Sequence, residues 1–257
     1  LILISFSQDG TWTTQILPPD YTFENYQRLF NDSDFLKPIS NSLKMAIIAT
    51  IANILFALAA GWLLIQKKLK GRLGLSILTV LPWALPGTVI ALNLATTFGK
   101  NDLLEGRILL VGTFWILPLA YFIRHIPLVV RAIQAGLEQL NPEFHDAARS
   151  LGASWLFTLR RILLPLLLPS IVAGGMLAFV TALGEFVSSI VIYTIDNRPI
   201  SVEILSQIRQ FNFGSAAAYG VLLIIMIALV FFTFSRYMDQ NKRTIALANK
   251  PNYALLQ

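Results

Sequence analysis

Five apolar stretches, each long enough to cross a bilayer, leave this chain little freedom in what it can become. They occupy roughly residues 40–65 ("SNSLKMAIIATIANILFALAAGWLLI"), 75–98, 108–130, 162–184 and 216–235. A hydrocarbon core of ~30 Å is crossed by about 20 apolar residues in a helix. Runs of this length recur along almost the whole chain and leave no room for a separate soluble core. The opening "LILISFS" is too short to span and lacks the basic start of a signal peptide. It reads as the outer end of a truncated first helix, or as the start of a half cut from a longer chain. The expected fold is all-α: a polytopic membrane helical bundle of about six transmembrane helices, the first incomplete, forming one domain over residues 1–257.

Composition agrees, with 55% hydrophobic and 13% charged residues. The net charge of +6 raises nucleic acid as a partner, but the basic residues flank apolar runs rather than forming a solvated patch with interleaved aromatics. They are topology signals, and the expected surroundings are membrane lipid, with no nucleic acid. The absence of cysteine excludes thiol catalysis, iron–sulfur clusters and cysteine-ligated zinc.

Orientation follows from the loops, because Lys and Arg are retained on the cytoplasmic side. Residues 66–74 carry Lys67, Lys68, Lys70 and Arg72 with no acid; residues 131–161 carry Arg131, Arg149, Arg160 and Arg161; the tail from 236 carries Arg236, Lys242, Arg243 and Lys250. These segments are placed in the cytoplasm. The stretch 8–39, with Asp9, Asp20, Glu24, Asp32 and Asp34 against Arg28 and Lys37, and the mixed stretches 99–107 and 185–215 are placed outside.

The cytoplasmic loop 131–161 has its own punctuation. In "LNPEFHDAARSLG", Asn141 is an N-cap candidate, Pro142 the first helical residue, Glu143 a first-turn acid and Gly152 the residue beyond the end. The pattern predicts a short helix over 142–151 with Phe144, Ala147, Ala148 and Leu151 in one stripe. An isolated helix of this length is marginal in water and must pack on something. Ser154 is placed to cap a second helix beginning at "WLFTLRRILL", with Arg160 and Arg161 at the membrane surface. The loop is therefore either a helical hairpin resting on its own membrane domain or a docking element for a soluble partner.

Asp146-Ala147-Ala148, then three residues, Gly152, nine residues and Ile162-Leu163-Leu164-Pro165 resembles the EAA motif, E-A-A-x3-G-x9-I-x-L-P, of the permease subunits of binding-protein-dependent ABC importers, the MetI-like family. The one departure is Asp146 in place of glutamate. The resemblance covers roughly residues 40–237. It implies a multi-pass subunit of the bacterial inner membrane whose loop docks as a coupling helix on a cytoplasmic ATP-binding subunit. Phe144, Asp146, Ala147, Ala148, Leu151 and Gly152 would be the coupling residues. It further implies an extracytoplasmic solute-binding protein and a second permease subunit or fused half. No cofactor would be bound directly, since ATP and Mg belong to the ATPase. The tract "LGEFVSSIVIYT" with "NRPISVEILSQIR" and "FGSAAAYG" looks most like ferric-iron-type permeases, often fusions of two halves, although thiamine, polyamine, sulfate and sugar permeases share most of that core.

For the transport path, prolines supply candidate kinks: Pro82 and Pro86, Pro118 and Pro127, Pro165 and Pro169. Gly174, Ala178 and Ala182 recur every four residues, a small-residue stripe suited to close helix contact. Counted along its span, Glu185 falls near the outer interface, where it and Ser188 and Ser189 are candidates for the path. Arg124 and His125, ~24 Å from Ile108, fall near the inner face, where the arginine would snorkel. A probable amphipathic helix lies within residues 193–220. Other functional classes have less to stand on. There is no H-E-x-x-H, G-x-S-x-G or G-x-x-x-x-G-K-[ST] sequence, so neither a membrane enzyme nor an ATPase is indicated. An ion-coupled transporter or channel would need a charged or broken-helix site near the bilayer midplane, and the spans show almost nothing ionisable there.

Overall fold

The computed structural model describes residues 1–11, 17–65, 70–99, 109–140, 150, 152 and 154–248. The described residues form helices joined by short turns. In chain order they are α1 (Ile2–Ser5), α2 (Glu24–Asn31), α3 (Ser33–Ile65), α4 (Arg72–Ala84), α5 (Gly87–Thr97), α6 (Ile116–Glu138), α7 (Trp155–Thr158), α8 (Leu164–Leu183), α9 (Ser189–Ile192), α10 (Ile200–Arg209) and α11 (Phe213–Ala248), with a π-helical turn, Leu159–Leu163, joining α7 to α8. Among the described residues four helices are long and apolar enough to cross a membrane, and the sharply bent pair α4 and α5 together has the length and apolarity of a fifth. The opening segment contributes only the four-residue α1, which packs on α11.

Local chemistry explains the boundaries. Asp32 accepts a hydrogen bond from the Asp34 N–H at 2.9 Å, capping the start of α3. The α4–α5 pair breaks at Leu85–Pro86, where the two axes turn by 107°. Proline drives the residue before it into extended backbone, and Leu85 has φ −95 and ψ 134. Pro82, Pro127 and Pro169 stay inside their helices, so of the candidate kinks Pro86 is the one that breaks a span.

One span needs correction. Hydropathy predicts it over 108–130, whereas the helix runs from Ile116 to Glu138. Ahead of it the backbone turns at Gly112, with φ +86, a conformation that favours glycine. Those apolar residues pack in a turn instead of a helix; Leu110 and Val111 lie against a buried core that includes Leu94, Ile116 and Leu117. The shift of eight residues moves every side chain of α6 relative to the bilayer.

Helices α3, α6 and α8 form the centre of the bundle. Lipid is as apolar as leucine, so close packing and polar contacts rather than hydrophobic burial hold such helices together. The α6–α8 contact shows how. A Cβ on Gly174 would come within 2.8 Å of the Ala132 Cβ and 3.2 Å of the Val129 Cα, and one on Gly136 would come within 2.7 Å of the Ser170 Cβ. Ala178 and Ala182 continue the Gly174 face and are buried. The small-residue stripe is therefore the α6–α8 seam.

On the outer side, the segment between α9 and α10 is stitched to α3. Asn41 donates to the carbonyls of Asp196 and Arg198 at 3.0 and 3.2 Å, and the Ile200 N–H donates to Ser42 Oγ at 2.8 Å. Asn197 adds a bond to the Thr113 carbonyl at 2.9 Å. Lys37 lies 2.9 Å from Asp196 and holds that carboxyl below the usual aspartate range; both side chains are exposed, so solvent screening leaves the pair little weight in stability. The amphipathic helix expected before the last span is α10.

In the middle of α3, Asn53 is fully buried and neither side-chain amide atom has a hydrogen-bond partner among the described residues. A buried amide without hydrogen bonds carries a desolvation penalty of roughly 1–3 kcal/mol. Asn53→Leu, of similar size, is therefore expected to raise the thermal unfolding midpoint of the detergent-purified protein. A lower midpoint would show that the amide has a partner in the folded membrane protein.

Candidate functional site

The seam between α6 and α8 fixes a register. With Gly136 opposite Ser170 and Gly174 opposite Ala132 and Val129, the two helices run antiparallel, and Arg124 comes level with the end of α8. There Glu185 Oε2 lies 2.9 Å from Arg124 Nε and 3.8 Å from His125 Nε2. Oε1 accepts the Ser188 N–H at 3.0 Å. Arg124 stands eight residues into α6, about 12 Å from its outer end at 1.5 Å per residue, so the ion pair sits well inside the membrane-crossing part of the bundle.

This corrects three expectations. Arg124 and His125 lie toward the outer half rather than the inner face, because the span begins at Ile116. Glu185 is not an interfacial acid: it is 7% exposed and paired. The spans do carry ionisable groups at depth, and one span is broken beside them.

The rest of the cluster holds the pair in place. Ser188 and Ser189 are fully buried. Ser188 Oγ donates to the Gly87 carbonyl at 3.3 Å, tying α9 to the first residue of α5. Ser189 Oγ donates to the Glu185 carbonyl at 2.7 Å and lies 2.7 Å from Tyr121 Oη, while Ser201 Oγ donates to the same carbonyl at 2.8 Å. Gly87 is closely packed: a Cβ there would meet Nη1 of Arg124 and lie 3.1 Å from Ser188 Oγ, so a side chain at this position would push the guanidinium aside. The bend at Pro86 thus presents the backbone of α5 directly to the arginine.

A cavity of about 470 Å³ opens over this cluster, with Trp83, Leu85, Arg124, His125, Thr181 and Glu185 in its lining. Both charged residues line the cavity; the Arg124 side chain is 27% exposed and that of Glu185 7%, so the arginine is the more accessible of the two. His125 is buried, and its Nδ1 has no hydrogen-bond partner among the described residues. No group of three or more His, Asp or Glu side chains that could hold a metal ion occurs among the described residues.

Of the residues expected to form the docking loop, Gly152 and Ser154 are described. Gly152 has φ +77, is exposed, and has nothing within 4 Å of a Cβ position, the left-handed backbone expected of a glycine ending a helix. Ser154 Oγ accepts the Phe157 N–H at 3.3 Å, so the expected cap of the second helix is present. Phe144, Asp146, Ala147, Ala148 and Leu151 lie outside the described residues. Sequence reasoning joined Arg124 and Glu185 only as the charge relay of an ion-coupled transporter and placed them at opposite faces of the membrane; the one available signal for their contact was two opposite charges in neighbouring apolar spans.

Comparison with known proteins agrees with this architecture. Residues 40–244 match the family model described as "Binding-protein-dependent transport system inner membrane component". The chain belongs to this family of inner-membrane permeases. It is 32% identical over 205 residues to a probable ABC transporter permease, y4fN, of Sinorhizobium fredii, covering 80% of this chain and 36% of that protein. It is 32% identical over 214 residues to the sulfate transport system permease CysT of Salmonella typhimurium, covering 79% and 76%. It is also 32% identical over 219 residues to the ferric transport system permease FbpB of Actinobacillus pleuropneumoniae, covering 83% and 31%. The chain thus spans about a third of the first and third of these relatives. Among solved structures, the MetNI methionine ABC transporter in inward-facing form matches with a TM-score of 0.65 at 18% identity, covering 80% of this chain and 94% of that one. A bacterial importer of the acidic polysaccharide alginate gives 0.67 at 18% identity, covering 91% and 87%. At that identity the likeness shows the fold.

Proposed function

We propose that this chain is a membrane-spanning subunit of an ABC importer, passing a small solute delivered by an extracytoplasmic binding protein. ATP, with Mg, is hydrolysed on a cytoplasmic partner subunit, and a second permease subunit or fused half completes the pathway. The observation that carries this reading is the family match over 40–244, which encloses both the EAA-like loop and the charged cavity. Movement of an ATPase docked on the loop would reach the cavity through α7, the π turn and α8, which lead from Ser154 to Glu185. Phe144 and Leu151 would supply the apolar anchors, with Ala147 and Ala148 allowing close approach beside Asp146.

Ferric iron, to which the outer tract is similar, and sulfate, named for the Salmonella relative, have equal sequence support at 32% identity. The path runs past Glu185, with Ser188 and Ser189 positioning it. Cysteines at Phe144 or Leu151 are expected to crosslink to the ATPase subunit in an assembled, transporting complex; no crosslink at either position would remove the docking role. Gly152→Val should uncouple ATP hydrolysis from uptake in proteoliposomes, because a left-handed backbone costs a β-branched residue about 1–2 kcal/mol. Unchanged coupling would count against the glycine turn as the joint.

A further inference from the structure

We infer that the cavity over Arg124 is a contact site for an oxyanion, with the guanidinium as the recognising group and Glu185 as the counter-ion that holds it in place. This names the cargo class at the site of the proposed path and rests on the permease reading.

Charge accounting at the cluster points this way. The pair is formally neutral, but its two members do not face the cavity equally. Glu185 Oε1 is taken by the Ser188 N–H and Oε2 faces Arg124 Nε, with His125 on the same oxygen. The carboxylate is therefore committed to the protein and almost fully covered. Arginine offers five N–H donors in a rigid fork, and pairing through Nε leaves an edge of that fork for a second planar acceptor. With the side chain 27% exposed into the cavity, the pole that a solute meets is positive.

The bent span adds to the same field. α5 is eleven residues long and starts at Gly87, against which Nη1 of Arg124 lies. The first N–H groups of a helix have no partner within it and carry partial positive charge, which favours anions. Val89 and Ile90 donate to the Pro86 carbonyl, so the N–H groups of Gly87 and Thr88 are the ones in question. The buried, unpartnered His125 Nδ1 is a further polar atom of a residue that lines the cavity. Ionisable residues at this depth face a bundle interior or an aqueous cavity rather than lipid, which makes this side of the chain the wet one. A bare trivalent cation approaching this face would meet the positive pole first. An oxyanion would instead meet the exposed part of the Arg124 side chain, with the start of α5 packed behind the guanidinium.

The absence of cysteine gives a clean test. Thr181 lines the cavity and is exposed, so Thr181→Cys adds one thiol there, and its labelling in the assembled transporter in proteoliposomes is read as the increment over the same complex without the substitution. Its labelling rates with an anionic sulfonatoethyl and a cationic trimethylammonioethyl methanethiosulfonate read the local potential. The anionic-to-cationic ratio is expected to fall on the order of tenfold when Arg124→Gln is added. It should hold with Arg124→Lys, which keeps the charge and loses the fork. Sulfate, at matched ionic strength against chloride, should slow labelling in the Arg124 protein and not in the Lys variant. A ratio unchanged by Arg124→Gln, or the absence of sulfate protection, overturns the inference. If Arg124→Gln fails to insert, the ratio at Thr181→Cys is compared with Thr97→Cys at the far end of α5, and equal ratios overturn it. Binding-protein-stimulated ATP hydrolysis in the same vesicles reads the permease assignment separately: its loss with the labelling ratio intact rejects that assignment and leaves the anion site standing.

Discussion

Arg124→Ala is expected to destabilise the protein by about 3–5 kcal/mol, because it strands the Glu185 carboxylate in the interior of the bundle without its cation. The magnitude comes from asymmetry. A buried ion pair is close to neutral when compared with a well-packed apolar replacement, but removing one member leaves the other with its full desolvation cost. Glu185 is 7% exposed and Arg124 lies 2.9 Å from it, so the arginine is its nearest counter-charge, and water entering from the cavity would offset only part of its loss. The pairing predicts a specific pattern of rescue. Arg124→Gln combined with Glu185→Gln should recover most of the loss, since neither partner then carries charge. The measurement is the thermal unfolding midpoint of detergent-purified single and double variants. Equal midpoints for Arg124→Ala and wild type would mean that the carboxylate is solvated independently of the arginine.

The second large effect belongs to the α6–α8 seam. Gly174→Leu should cost about 3 kcal/mol, the upper end of what overpacking usually costs. The first atoms its side chain meets are the Ala132 Cβ and the Val129 Cα, at 2.8 and 3.2 Å from the Cβ position. The second of these is backbone, which no rotamer change can move. Separating α6 from α8 at Gly174 would also spoil the register that carries Arg124 to Glu185, so uptake should fall together with stability. Gly184→Ala is the matched control, because nothing lies within 4 Å of its Cβ position, and it should leave the unfolding midpoint within about 0.5 kcal/mol of wild type. A Gly174→Leu protein as stable as that control would show that the seam opens freely.

Much of this architecture was legible in the residues, and what was not has identifiable causes. Length and apolarity revealed the spans, and Gly174, Ala178 and Ala182 revealed the face along which α8 meets its neighbour, whereas Pro86 was one of six equal candidate kinks and only the 107° bend shows that it is the one that breaks a span. Gly152 and Ser154 behave as turn and cap chemistry predicts. The span placed at 108–130 was displaced because hydropathy cannot tell an apolar turn from an apolar helix, and only the positive φ of Gly112 shows where the turn is. That displacement hid the charged cluster. With α6 starting at Ile108, Arg124 falls near the cytoplasm and has no reason to meet Glu185. With the start at Ile116, the pairing follows from the register of the seam. Ser188 and Ser189 were singled out for proximity to Glu185, and their contribution is to anchor its backbone and carboxylate rather than to face the cavity.

The π turn at Leu159–Leu163 has a consequence for how this region can tolerate insertions and deletions. A π turn accommodates one more residue than the α-helix around it. The turn absorbs that surplus residue, so the Ser154-capped helix keeps nearly the phase, relative to the span that ends beside Glu185, that an uninterrupted α-helix one residue shorter would give it. Deleting one residue from 159–163 would let the helix run on as uninterrupted α with the upstream helix in nearly the same phase, whereas deleting one residue from Trp155–Thr158 would swing everything upstream by about 100° around the axis of α8. Whatever sits on the Gly152 joint would then be aimed at a different neighbour, while the span itself kept its length, its apolarity and its seam with α6.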